Sequence, residues 1–276
     1  MSGARTAYRP LSLVVEARRQ LRRPRTYWSF GILLALPLIV LGAFALGDGG
    51  DPGGTRFSDL ATSGSANFAV FLLFVSAELL LLIVTTLFVG DSVPSEAGWG
   101  SLRYLLTAPV GRSRLLTSKL LVGLASAVLA VTLLVTWSLL VGGLAYGWES
   151  LRIPLGGELA WDQVLARLAF AAAYILVALL PFAALAFWVG IAGATPLGAV
   201  GAAVLAAIVS SILDSLDALG HWRRGLPNHY SRAWVEIFTS EPDRSALVHG
   251  AAWAALYTVV VLALAYRQFA RKDILS

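Results

Sequence analysis

Three groups of residues in this sequence have types that can do chemistry. They are a lone carboxylate, Glu78, inside an apolar run; a charged loop from Asp91 to Lys119; and three histidines, His221, His229 and His249. The histidine spacing matches no zinc signature, so no metal site is expected. Cysteine is absent, which excludes disulfides, thiolate metal sites and cysteine nucleophiles. No G-x-x-x-x-G-K-[ST] run occurs, so this chain does not cradle nucleotide phosphates in that way. No catalytic residue is assigned, and the chain does not read as an enzyme.

Glu78 is the one charged side chain placed deep inside a predicted membrane span, away from its ends. A charge at mid-bilayer costs roughly 2.5–3.5 kcal/mol or more. The carboxyl is therefore expected to face protein or water, or to hold a proton. One reading makes it a cation- or proton-sensing group on a translocation path. The other makes it a neutral group hydrogen-bonded within the bundle. No Lys or Arg lies at its depth in another span, so the sequence names no ionic partner.

The loop after the second span carries Glu96, Gly100, Leu102, Arg103, Leu105 and Leu106, closed by Pro109. Ser95 caps a predicted helix with Glu96 in its first turn. Leu102, Leu105 and Leu106 share one face, and Pro109 ends the element. A surface helix with a leucine face and an acid–base pair suits docking into a groove on another protein. A plain solvated loop helix is the alternative.

The elements that position these groups follow from composition. Charged residues are 13% of the 276, and mean hydropathy is +0.75. A soluble domain carries about 25% charged residues. There is too little polar surface to coat a soluble globule, so this is an integral membrane protein. Uncharged stretches of bilayer-crossing length predict six spans, at about 28–47, 67–90, 118–144, 166–192, 196–213 and 247–266. The division between the fourth and fifth falls at Gly193-Ala194-Thr195-Pro196, where Thr195 caps and Pro196 starts a helix. Residues 1–27 form a basic segment with an amphipathic helix, and 28–276 a single six-helix domain. The run Ala43-Phe44-Ala45 looks like a signal-cleavage site, but the basic region before it is long for one. With both termini inside, the inner loops and tails hold fourteen basic residues and the outer loops seven. That split orients both termini to the cytoplasm and places the protein in the cytoplasmic membrane. Trp28, Trp148 and Trp161 sit at span ends. These flanking arginines answer to topology, so no nucleic-acid partner is expected.

From Pro10 to Arg23, Leu11, Val14, Ala17 and Leu21 recur at helical spacing beside Arg18, Arg19, Arg22 and Arg23. Such a helix sinks its apolar side into the headgroup boundary while its arginines meet anionic membrane lipids. The fifth loop, Asp214 to Arg244, holds a short amphipathic pattern through Trp234, Ile237 and Phe238. It is expected either at the outer interface or as a cap on the bundle. Small-residue pairs at Gly123/Ala127, Gly190/Ala194 and Gly198/Ala202 permit close helix approach, between subunits or inside one.

The run E-x-x-x-G-S-L-R-x-L-L-x-x-P-V-x-R-x-x-L-L-x-x-K, from Glu96 to Lys119, resembles the permease subunit of type-2 ABC transporters of the bacterial drug, lipid and polysaccharide exporter class. Ala97-Gly98-Trp99 departs from it, being apolar where relatives often carry charge. The resemblance implies an all-α integral membrane fold of six transmembrane helices with an N-terminal amphipathic interfacial helix, the type-2 ABC exporter permease architecture. It implies that the loop helix couples to a separate ABC ATPase subunit, which binds ATP and Mg, while this chain holds no cofactor. It also implies a second permease subunit, a homodimer being expected, with the substrate path between the two. Export, too, rests on the resemblance. A secondary carrier, marked by inverted repeats and broken helices, and a non-transporting scaffold are the alternatives.

Overall fold

The computed structural model describes residues 13–46, 57–92, 94, 112–153, 157–193, 195–239 and 244–271. A short helix α1 (Leu13–Leu21) leads into α2 (Pro24–Leu46). Then come α3 (Phe57–Ala61), α4 (Ser65–Ala77), α5 (Leu80–Gly90) and the long α6 (Arg112–Tyr146). A two-stranded antiparallel hairpin, β1 (Leu151–Arg152) with β2 (Glu158–Leu159), connects α6 to α7 (Trp161–Ala192). Then follow α8 (Pro196–Asp214), two 3-10 helices (Asp217–Gly225 and Ala233–Phe238) and α9 (Arg244–Arg271).

Five of these helices, α2, α6, α7, α8 and α9, are long and apolar enough to cross a membrane. The pair α4 and α5 makes a sixth span if taken together, bent by 60°. The sequence reading treats 67–90 as one continuous span, and here the structure differs. Ser76 Oγ donates to the Leu72 carbonyl at 2.5 Å. Such a bond competes with the backbone ladder and bends helices. The ladder lapses just beyond it, at Glu78 and Leu79. Both halves are apolar, so hydropathy alone sees no break.

The core forms around α7, whose apolar window is 56% buried, against 17% for α2 and 11% for α9. Helices α5, α8 and α9 pack on α7, while α1, α2, α4 and α5 pack on α6. Close crossings use glycine where a methyl would collide. A Cβ on Gly190 would lie 2.6 Å from the Gly90 carbonyl oxygen, and one on Gly123 2.9 Å from that of Phe88. Gly123 and Gly190 thus supply packing within one chain, whereas Gly198 is exposed. Gly193 closes α7 in the left-handed conformation, and Thr195 caps α8 by accepting from the Gly198 amide at 3.1 Å.

Two ends of the bundle can be distinguished. One carries α1, the end of α5 and the start of α6. The other carries the hairpin and the cap segment, residues 217–239. At that far end Trp161 Nε1 donates to the Trp148 carbonyl at 2.9 Å, and the Asn67 side chain pairs with both backbone groups of Arg152.

Candidate functional site

The loop residues singled out from sequence, Glu96, Gly100, Leu102, Arg103, Leu105 and Leu106, lie outside the described residues. What the structure does describe is the frame from which that loop departs. Helix α1 turns its polar side inward: Glu16 and Gln20 are buried, while Leu13, Val14, Val15 and Leu21 are exposed. This is the arrangement of a helix lying in a bilayer boundary, its apolar side left for lipid. Lys119 Nζ, on the first turns of α6, donates to Glu16 Oε1 at 2.9 Å, with only 1% of its side chain exposed. Burying either charge alone is costly, so each depends on the other.

A second contact lies beside the first. Asp91, just past α5, pairs with Arg23 at 3.0 Å and with Arg25, both from the α1–α2 junction. Burial holds the Asp91 carboxyl above its ordinary range, outweighing the opposing pull of the two guanidinium groups. Thr26 Oγ1 donates to the Gln20 carbonyl at 2.7 Å and fixes the corner between α1 and α2. Gly90 and Pro94 press on Gly190 of α7. Both roots of the 93–111 loop are therefore clamped, one through Asp91 and Gly90 and the other through Lys119.

The geometry places ion pairs at both roots of a loop whose sequence suits docking. The comparison with known families decides what kind of protein uses it. Residues 14–210 match the family model described as ABC-2 family transporter protein. The chain belongs to the ABC-2 transporter family. A search of curated proteins returns no match. An ABC-2 permease is a membrane transport component and is not itself catalytic. The several apolar helices agree with a multi-pass membrane protein of that family. The match opens within α1 and closes within α8, so the frame lies inside it and the cap segment beyond it.

In this ABC-2 permease the structure overturns one expectation. Glu78 is not without an ionic partner. Arg232, from the cap segment, donates through Nε to Oε1 and through Nη2 to Oε2, the latter at 2.8 Å. The Arg232 guanidinium also lies 5.7 Å from the centre of the Phe74 ring. The partner is not in a span but on a loop that folds back among them. The cap resolves another open reading. Trp234, Ile237 and Phe238 are buried, so that amphipathic turn covers the bundle. Arg167 Nη1 donates to the carbonyls of Ile237 and Thr239, each at 2.8 Å, and Tyr174 Oη donates to that of Tyr230 at 2.9 Å.

Sequence reasoning missed Glu16, Asp91 and Arg232 as contact residues, and saw Lys119 only as the end of a motif. One signal was available. Glu16 is the lone acid in a segment otherwise carrying seven arginines. For Arg232 there was none, since 154 residues separate it from Glu78.

Proposed function

We propose that the chain is the permease subunit of an ABC exporter in the cytoplasmic membrane, working with a separate ATPase subunit that binds ATP and Mg. The observation that carries this reading is the buried frame of Glu16, Lys119, Arg23, Arg25 and Asp91, set within the family match. A load applied to the 93–111 loop passes through both of its roots into α1, α5 and α6 together. Docking of the ATPase is assigned to Glu96, Gly100, Leu102, Arg103, Leu105 and Leu106. Closure of an ATPase pair then tilts the helices and alternates access to a path between two copies of this chain. Both termini are cytoplasmic on this reading, and the cap segment faces outward. The bend at Glu78 is a feature shared with secondary carriers, but the family match favours the ABC reading.

The test is a reversal of charge on the loop. Glu96→Arg leaves insertion intact and either releases the ATPase on co-purification or removes substrate stimulation of its hydrolysis. Unchanged co-purification together with unchanged stimulation counts against docking there. Orientation is checked with single cysteines in this cysteine-free chain. An impermeant thiol reagent added to intact cells labels Asn228→Cys and spares Ser113→Cys, and the opposite pattern reverses the topology.

A further inference from the structure

The depth of Glu78 is set by helices on both sides of it. Gly142 of α6 meets Ser65 and Phe68 of α4, and Gly123 of α6 meets Phe88 and Val89 of α5. Helix α6 is continuous between those points, which are therefore roughly 28 Å apart at 1.5 Å per residue. Glu78 falls midway, at the 60° bend; since that separation is close to a hydrocarbon core of about 30 Å, midway corresponds to hydrocarbon depth. Yet the pair it forms is open: 37% of the Glu78 side chain and 64% of that of Arg232 are exposed in the isolated chain. Val75 and Leu79, exposed on the same side of the bend, extend this face.

An ion pair at that depth does not rest against acyl chains, because lipid supplies no hydrogen bonds to its remaining donors and lone pairs. The face must meet water or a second protein surface with water between. The pair also joins two parts of the fold that lie 154 residues apart in the chain. Glu78 sits where the backbone already bends, and Arg232 sits on a segment otherwise tied to α7 and α9 by Arg167, Tyr174 and Tyr257, and to α8 through Asn228 with Ser210 and His229 with Asp214. We propose that Glu78 and Arg232 form a latch on the water-facing wall of the translocation path, holding the cap segment against the bend of the second span. Calling the wall a path rests on the permease reading. That the face is wet, and that the pair holds it closed, does not.

Single cysteines in membrane vesicles opened to both sides test this with a hydrophilic thiol reagent. Val75→Cys beside the latch reacts at least tenfold faster than Val259→Cys, an exposed apolar position midway along α9. Equal rates at the two positions overturn the wet face. In the Val75→Cys background, Glu78→Gln keeps the shape but loses the charge, and it raises the labelling rate severalfold. So does Arg232→Gln. The exchanged pair Glu78→Arg with Arg232→Glu returns the rate toward that of the parent. A rate unaltered by both single changes, or not restored by the exchange, overturns the latch. Failure of Glu78→Gln and Arg232→Gln to accumulate in the membrane also overturns it, since the pair is then a folding support. The labelling result does not require the ATPase. Loss of ATPase binding would sink the permease reading and leave these rates in place.

Discussion

Lys119 meets Glu16 with 1% of its side chain exposed, whereas Arg232 meets Glu78 with 64% exposed. One pair stands at the α1 end and the other at the bend midway along the second span, and they are built in opposite ways. At the α1 end, charges are sealed between regular helices, and Arg23, Arg25 and Asp91 repeat the pattern close by. In the cap, a segment of 3-10 turns is held by long side chains that reach its carbonyls, and its one ion pair to the bent span is open. A sealed pair is expensive to break, because separation strands a desolvated charge. An open pair can exchange its partner for water at small cost. The α1 end is thus suited to passing on force without yielding, and the cap to being released and reset.

The comparison is most exposed at Lys119. Lys119→Met leaves Glu16 buried and is expected to cost about 3–5 kcal/mol, seen as a lowered midpoint in thermal unfolding of the detergent-solubilised protein. Changing both residues, Glu16→Met with Lys119→Met, recovers most of that loss, since no charge is then stranded. A silent single change would break the contrast.

A smaller effect is expected in the cap. Arg167→Met removes the two charge-assisted bonds from one guanidinium nitrogen to the carbonyls of Ile237 and Thr239, worth about 1.5–3 kcal/mol together. The change appears as faster amide hydrogen exchange confined to 233–239, with the α1 end unaffected. Tyr174→Phe, which removes one neutral bond to Tyr230, costs about 1 kcal/mol by the same measurement. If either variant also speeds exchange in 13–21, the two regions are not independent and the contrast fails.

The smallest effect sharpens the distinction between sealed and open pairs. Arg152 meets Glu149 at 2.9 Å on the hairpin, with both side chains more than half exposed. Arg152→Ala is expected to alter stability by about 0.5 kcal/mol or less, within the scatter of a thermal midpoint. Its backbone bonds to Asn67 survive the change.

Much of the architecture was legible before any coordinates, and for a local reason. The turn at Gly193 and Pro196, the tryptophans at Trp148 and Trp161, and the amphipathic pattern of Trp234, Ile237 and Phe238 are each written within a few consecutive residues, though not which way that last set faces. The bend at Glu78 was not legible, because α4 and α5 are equally apolar and no proline or glycine separates them. The frame was half legible. The stripe of Val14, Ala17 and Leu21 foretold the apolar side of α1, but not that Glu16 on the other side seats it against α6.

By itself the sequence determined that this is a many-helix membrane protein, where its apolar stretches begin and end, and which loop carries the family motif. These are properties of contiguous residues: transfer into a bilayer depends on the side chains of one segment, and helix caps and turns act over one or two peptide units. Only the tertiary structure decided which charges meet. Glu16 with Lys119, Asp91 with Arg23 and Arg25, and Glu78 with Arg232 are partnerships made by helices and loops that come together in space. Electrostatic and hydrogen-bond energies fall off within a few ångströms in space and take no account of distance along the chain.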